Sequence, residues 1–274
     1  MSLPIRKIIK LEYFYFIMVK LTEDSSYSLK GAFPQFLKQT DEKKITVKYI
    51  LSKLREKYSF SNYTKFSFTD IGAGEGAVTS SIIEFLRRNV NLEVHLIEPS
   101  SLMKILKKRC GPSVDYIWAG MEDKPLPKSD FILMAHAIQY VKDRRSFAKS
   151  LENALNSNGK ILVVGTHSES DDLRLKRELK YEEKIKKKEK PRENLFEYLE
   201  KEGFKVTREY VESKIDINNA LKMNKDGEGI LAFYYHKPFS EISKEEILRF
   251  KKVAEKYAPK GKLTKRLQFI WVES

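Results

Sequence analysis

Asp70-Ile-Gly72-Ala73-Gly74-Glu75-Gly76 sets three glycines at alternate positions, with an acid two residues before the first and another between the last two. Glycines without a β-carbon let a ligand approach the backbone, and where such a turn opens a helix, free N–H groups point at that ligand. A nucleotide-type ligand suits such a turn. The spacing is G-x-G-x-G, without the third-glycine placement of a dinucleotide fingerprint. Asp70 and Glu75 together would repel a pyrophosphate, whereas a nearby carboxylate favours the ammonium group of S-adenosylmethionine. Glu98 ends the next apolar run, where a carboxylate can accept hydrogen bonds from both hydroxyls of a ribose. Two other readings stay open at this point: a plain tight turn with Asp70 capping the helix, and a nicotinamide site.

The elements that must position these residues alternate. Lys65–Ile71 reads as a buried strand, Gly72–Gly76 as the turn after it, and Ala77–Asn89 as a helix, with Val78, Ile82, Ile83 and Phe85 at helical spacing. Leu92–Glu98 is the second strand, followed by a helix over Leu102–Lys108. Val114–Trp118, Phe131–Ala135 and Ile161–Gly165 are the third to fifth strands. Ser146–Leu155 is a helix stopped by a turn at Asn156–Gly159. Later come a helix over Glu193–Glu202, a strand over Lys205–Ile217, helices near Gly229–His236 and Ser243–Tyr257, and a closing strand at Leu267–Glu273. This order predicts an α/β fold: a seven-stranded sheet with helices on both faces, its last strand antiparallel and inserted beside the others.

Composition narrows the class. The 274 residues are 41% hydrophobic and 33% charged, a globular balance that excludes disorder and collagenous or low-complexity chains. One cysteine, Cys110, excludes an intramolecular disulfide and a cysteine-based zinc cluster, and four scattered histidines suggest no metal; a cytoplasmic setting is expected. The apolar run Ile8–Leu21 is too short for a membrane span and is broken by Lys10, Glu12 and Lys20, and it lacks the small-residue cleavage site of a signal peptide. Met18 is an alternative start. The formal charge is +14 and only partly clustered: within 174–192, Lys184, Lys186, Lys187, Lys188 and Lys190 are interrupted by Glu182, Glu183 and Glu189. Such a run reads either as a solvated face or as a contact for a polyanion.

Four segments carry a family likeness. TDIGAGEG from Thr69, LIEPS ending at Ser100, SDFILMAHAIQYV from Ser129 and GKILVVGTH ending at His167 resemble class I S-adenosylmethionine-dependent methyltransferases. Within them the chain looks closest to the histamine N-methyltransferase-like branch, through the acid-Pro-Ser after the second strand and the YVKD of Tyr140–Asp143. SLKGAFPQFLKQ (Ser28–Gln39), the IDI around Asp216 and the closing LQFIWVES are similar to that branch less closely. The resemblance implies a Rossmann-like methyltransferase domain over 58–274, with 174–192 as a charged insertion and 1–57 as an N-terminal extension and helical lid. It implies S-adenosylmethionine as cofactor and S-adenosylhomocysteine as product. Asp70, Gly72, Ala73, Gly74, Glu75, Gly76, Glu98, Pro99, Ser100 and Ala135 would lie at the cofactor, with Met121 and Glu122 in the loop that flanks the adenine. The branch's acceptor contacts transfer poorly: Gly31 stands where it has a glutamate, His136 where it has a glutamine, and Thr264 or Lys265 where it has an asparagine. These departures argue against histamine as acceptor.

Methyl transfer from a sulfonium is an in-line displacement that needs an oriented acceptor and a place for its proton, but few catalytic groups. His136, just past the fourth strand, is the candidate base or orienting donor, since imidazole titrates near neutrality. Tyr140, one helical turn on, is placed to share its face. Tyr27, Phe33 and Phe36 resemble a lid over an apolar acceptor pocket, and His167 after the fifth strand is a further substrate contact. Core packing or an exposed loop accounts for several of these equally well. The reading that follows is transfer to a nitrogen or oxygen of a small molecule. Two alternatives are transfer to RNA or protein over the basic surface and a non-catalytic cofactor-binding protein. No membrane partner is expected, and the assembly state is not legible.

Overall fold

The computed structural model describes residues 32–180 and 195–273. They form two compact units. The larger comprises Glu42–His167, the described part of Lys188–Ser213, and the C-terminal run from Arg266; the smaller takes in described residues up to Asp41, those of Ser168–Lys187, and Lys214–Lys265.

Seven strands make one sheet: β1 (Phe66–Ile71), β2 (Leu92–Ile97), β3 (Asp115–Ile117), β4 (Ser129–Ala135), β5 (Leu155–Thr166), β6 (Lys205–Asp216) and β7 (Lys262–Glu273), in the order β3-β2-β1-β4-β5-β7-β6. Strands β1 to β5 are parallel, and β7 pairs antiparallel with β5, from Lys160 opposite Glu273 to Thr166 opposite Leu267. This is the seven-stranded arrangement expected from the alternation, antiparallel last strand included, and it matches the Rossmann-like fold that the resemblance implies.

Side-chain alternation explains why both faces must be covered. On β4, Phe131 and Leu133 belong to one apolar cluster, Ile132 and Met134 to the other; β5 divides Leu162 and Val164 from Ile161 and Val163 in the same way. The first face is covered by α2 (Glu42–Lys57) through Ile50 and Leu54, α3 (Thr79–Arg87) through Ile82, Ile83 and Leu86, and α4 (Met103–Cys110) through Met103 and Leu106. The second is covered by α5 (Arg144–Ala154) through Phe147 and Leu151, and by α7 (Leu195–Lys201) through Leu195 and Leu199. Buried Asp130 on β4 is satisfied: it accepts from the Ser67 amide at 2.7 Å, the Ser67 hydroxyl at 2.9 Å and Asn156 Nδ2 at 3.0 Å.

The smaller unit has its own apolar cluster, built from α1 (Ala32–Lys38), α6 (Asp171–Lys180), α8 (Asn218–Lys222), α9 (Lys225–Tyr235) and α10 (Lys244–Tyr257). Phe36 stacks on Phe233 with ring centroids 3.7 Å apart, and the Ser243–Glu246 capping box opens α10.

Three expectations are corrected. The turn predicted at Asn156–Gly159 lies inside β5, which starts at Leu155; the extra residues produce a register shift against β4, with Asn158 at φ +63°. The sequence signal for a turn was real, but the ladder resumes across it. Helix α9 starts earlier than Gly229, because Asn224 caps it by accepting from the Gly227 amide at 3.1 Å, and His236 is the left-handed residue that ends it. The residues after His136 form one 3-10 turn, Ile138–Tyr140, so Tyr140 is not a helical turn beyond His136 on a shared face; its side chain is exposed.

Candidate cofactor and acceptor site

The C-terminal ends of β1, β2 and β4 converge in the larger unit. Gly72, Gly74 and Gly76 all adopt positive φ (+74°, +58° and +76°), a conformation costly for any residue with a β-carbon. Gly72 also needs its missing atom for space, since a Cβ there would stand 2.7 Å from the Ala137 Cβ, just past β4. Gly74 has nothing within 4 Å of that position, so its backbone is open to approach. The amides of Gly72 and Ala73 donate to the Ile97 carbonyl at 2.8 and 3.1 Å, joining the turn to the end of β2.

Glu98 is buried and fixed by the backbone: Oε2 accepts from the Gly74 amide at 2.8 Å and Oε1 from the Ser100 amide at 2.9 Å. Each carboxylate oxygen keeps a further lone pair for a ligand donor. Asp70 is buried at the end of β1. Its Oδ2 accepts from the Thr79 hydroxyl at 2.5 Å, while Oδ1 is buried with no partner, and burial pushes the carboxyl up to about 7. Glu75 behaves oppositely. Ion pairs with Lys43 and Arg109 outweigh its partial burial and hold its carboxyl below the usual range, so its charge is not presented unpaired at the turn. The anion-repelling character read from Asp70 and Glu75 together is therefore weakened in the folded chain, by burial at Asp70 and by the two cations at Glu75.

His136 follows β4 with φ +54°, its amide donating to the Val164 carbonyl at 2.8 Å. Its Nε2 is buried 2.6 Å from Oε1 of Glu42, without an aligned hydrogen bond. Glu42 and Lys43 are the first two residues of α2. One reaches the loop after β4, and the other reaches Glu75 in the loop after β1. Nothing local in the sequence signals Glu42, because its partner lies far along the chain.

The other expected residues are dispersed. Glu122 accepts from the Lys142 and Asp143 amides at 3.0 and 2.8 Å, which ties the loop after β3 to the start of α5; Met121 packs against the second-face cluster. Pro99 contributes its carbonyl to the indole N–H of Trp118 at 2.8 Å. Trp118, not singled out from sequence, is 58% exposed, and its ring is anchored beside the Glu98–Ser100 segment. His167 meets the Tyr210 ring edge-on at 5.1 Å, at the β7–β6 side of the sheet. Phe36 is buried in the core of the smaller unit. Phe33 falls in α1, but its side chain, like Tyr27, Gly31 and residues 181–194 of the charged stretch, lies outside the described residues.

The turn passes a test of fit for S-adenosylmethionine on its own geometry: a buried carboxylate oxygen without a partner at Asp70, open backbone at Gly74, and a fixed acceptor pair at Glu98. Residues 69–163 match the family described as a methyltransferase domain, from within β1 into β5, a stretch that includes Asp70, the glycine turn, Glu98 and His136 but not Glu42 or Lys43. Residues 69–163 carry a methyltransferase domain. The methyltransferase is similar in fold to two solved structures. One is a protein of Bacillus halodurans C-125 assigned as a methyltransferase, with 14% identity and a TM-score of 0.53, covering 81% of this chain and 97% of the other. The second is the YcgJ protein of Bacillus subtilis, with 12% identity and a TM-score of 0.50, covering 77% of this chain and 92% of the other. No curated protein matches the chain. Among the described residues no helix of this methyltransferase is long and apolar enough to cross a membrane.

Proposed function

We propose that this methyltransferase acts on a nitrogen or oxygen atom of a small molecule, with His136 beside the acceptor. The observation that carries the reading is that the first two residues of α2 are paired to both loops of the site, Glu42 to His136 and Lys43 to Glu75. A helix start held over both strand ends walls the acceptor side, which suits a small acceptor and the exclusion of water.

S-adenosylmethionine, when bound, supplies a methyl group made electrophilic by its sulfonium. Glu98 would hold the ribose hydroxyls with the lone pairs its backbone bonds leave free. Asp70, with a carboxyl near 7 and one oxygen unpartnered, would favour the cationic amino-acid end, since a cation nearby holds the ionised form. Trp118 would offer a flat apolar surface to the adenine. Gly72, Ala73, Gly74 and Gly76 would bring backbone close to the ligand, with Pro99, Ser100, Met121, Glu122 and Ala135 around it. His136 would take the acceptor's proton or orient the acceptor. Tyr140 and His167 have less support, one exposed after its 3-10 turn and the other against Tyr210.

The likeness to the histamine N-methyltransferase-like branch supports a small acceptor but not histamine, because His136 replaces that branch's glutamine and Thr264 accepts from Lys214 Nζ at 2.9 Å. A second reading, transfer to RNA or protein, has support in the +14 formal charge and in a cavity of about 250 Å3 where Arg145, Lys149 and Lys201 outnumber the one acid, Glu202. One experiment separates the two: transfer of a labelled methyl group from S-adenosylmethionine into a cell extract resolved into small-molecule, nucleic-acid and protein fractions. Label among small molecules supports the first reading. Label confined to RNA or protein overturns it, and no label with measurable cofactor binding leaves the non-catalytic alternative.

A further inference from the structure

A second cavity on the larger unit is lined by none of the residues assigned to cofactor or acceptor. It measures about 380 Å3 and opens between α3 and α4, with Arg87, Arg88 and Arg109 in its wall. Ile83 and Cys110, both buried, also line it, and burial pushes the Cys110 thiol up to about 11, so these two bring no charge at neutral pH. Ser80 adds a hydroxyl, and the one acid in the wall, Glu84, is paired with Arg88. Among the described residues each guanidinium is held through a single terminal nitrogen. Nη2 of Arg87 donates to the Ser113 carbonyl at 3.1 Å, Nη2 of Arg88 reaches Glu84, and Nη1 of Arg109 donates to the Glu75 carbonyl at 2.8 Å and lies 3.6 Å from its carboxylate. A guanidinium has five N–H donors in a planar fork, so these bonds orient the side chains while most of their donors remain for a ligand. Basic residues in the last turn of a helix complement its dipole, which accounts for Arg87 and Arg109 one helix at a time. It does not account for cations of two helices converging on one cavity, where like charges repel and an anion relieves the repulsion. The two helix ends offset roughly half a charge each, less than three guanidiniums bring, and α4 carries Lys104, Lys107 and Lys108 in addition.

We propose that the cavity between α3 and α4 binds a compact anion bearing linked phosphates, through Arg87, Arg88 and Arg109, as a ligand additional to the cofactor and the methyl acceptor. The inference goes beyond the proposed reaction and stands whichever acceptor the methyltransferase uses. Planar guanidinium forks meet phosphate oxygens two at a time, and three of them in one wall match the charge of a diphosphate better than that of a single phosphate. The volume suits a diphosphate or a nucleotide that ends in one. A single nucleic-acid strand is held instead by a groove that tracks its backbone and by rings on which its bases stack, and this wall contains no aromatic ring.

Titration calorimetry of the full chain with inorganic pyrophosphate tests this. Wild type should bind it saturably, with a Kd below about 1 mM. The double variant Arg87→Gln/Arg88→Gln should weaken binding at least about 10-fold, the loss expected from one or more charge-assisted hydrogen bonds. Arg87→Lys/Arg88→Lys, which keeps the charge and removes the forks, should recover only part of that loss. Lys104→Gln/Lys108→Gln removes as much charge from α4 outside the cavity wall and should change affinity by under about 2-fold. An unchanged urea midpoint marks each variant as folded. Uridine diphosphate bound more tightly than pyrophosphate assigns the occupant to a nucleotide, and equal or weaker binding assigns it to a free phosphate anion. Absence of saturable pyrophosphate binding by wild type, or equal weakening by the arginine and lysine pairs of glutamine variants, overturns the proposal. A single-stranded oligouridine that binds through Arg87 and Arg88 where pyrophosphate does not bind overturns it in favour of an RNA contact.

Discussion

Replacing Gly72 by alanine should damage the methyltransferase far more than the same change at Gly74, although both glycines sit in one turn at positive φ. At Gly74 the added methyl meets nothing within 4 Å, so the cost is the left-handed backbone alone, about 1–2 kcal/mol. At Gly72 the same backbone cost applies, and the new Cβ stands 2.7 Å from the Ala137 Cβ, a contact neither atom can relieve by rotating. Overpacking of that kind adds about 1–3 kcal/mol, giving a total of roughly 2–5 kcal/mol. Urea unfolding followed by tryptophan fluorescence measures it, since Trp118 and the buried Trp271 both belong to the larger unit and report on it. The clash also pushes on the segment that carries His136, so Gly72→Ala should lose methyl transfer beyond its loss of stability, whereas Gly74→Ala should lose mainly S-adenosylhomocysteine affinity. Equal destabilisation by the two variants would refute the packing of the post-β4 segment against the turn.

Three further perturbations follow from the same geometry. Asp70 has a folded-state carboxyl raised to about 7 by burial, above its unfolded value, so the folded chain binds the extra proton and its stability should fall as pH rises from about 4 to 7, by up to roughly 4 kcal/mol. Asp70→Asn should flatten that slope in unfolding measured across the interval, and identical slopes would contradict the assignment. Glu98→Gln keeps the shape but swaps one oxygen for a donor facing the Gly74 or Ser100 amide, so it should destabilise by about 1–3 kcal/mol and weaken S-adenosylhomocysteine binding at least 10-fold by calorimetry. Trp118→Ala, at a side chain 58% exposed, should change unfolding free energy by under about 1 kcal/mol yet weaken binding by about 1–3 kcal/mol if its ring carries the adenine; unchanged affinity would remove it from the site.

Much of the scaffold was legible because its signals are local. FSFTDI could be read as a strand from its alternating Phe66 and Phe68, and all six positions are buried because β1 is central and covered on both faces; the three glycines could be read as a turn because only glycine adopts those φ values cheaply. Glu98 was legible as the acid ending a strand. Misreadings arose where a local signal had a distant resolution: Asn156–Gly159 turns, yet the ladder with β4 resumes beyond it, and Gly227 and Gly229 sit inside α9 because Asn219 and Gln35 leave no room for a Cβ. Phe36 carried the spacing of an aromatic lid, but its ring packs on Phe233 in the smaller unit's core.

The sequence by itself determined the order of strands and helices, the glycine turn and the acid that follows the second strand, since period-two and period-3.6 patterns and positive-φ turns depend on neighbouring residues. Only the tertiary structure decided that Glu42 meets His136, that Lys43 removes the free charge of Glu75, that Glu122 holds a neighbouring loop, and that Trp118 stands beside Glu98. Those pairings come from the strand order β3-β2-β1-β4-β5-β7-β6, which brings the ends of strands distant in the chain together. An ion pair or a ring contact depends on that spatial proximity, which no spacing along the chain encodes.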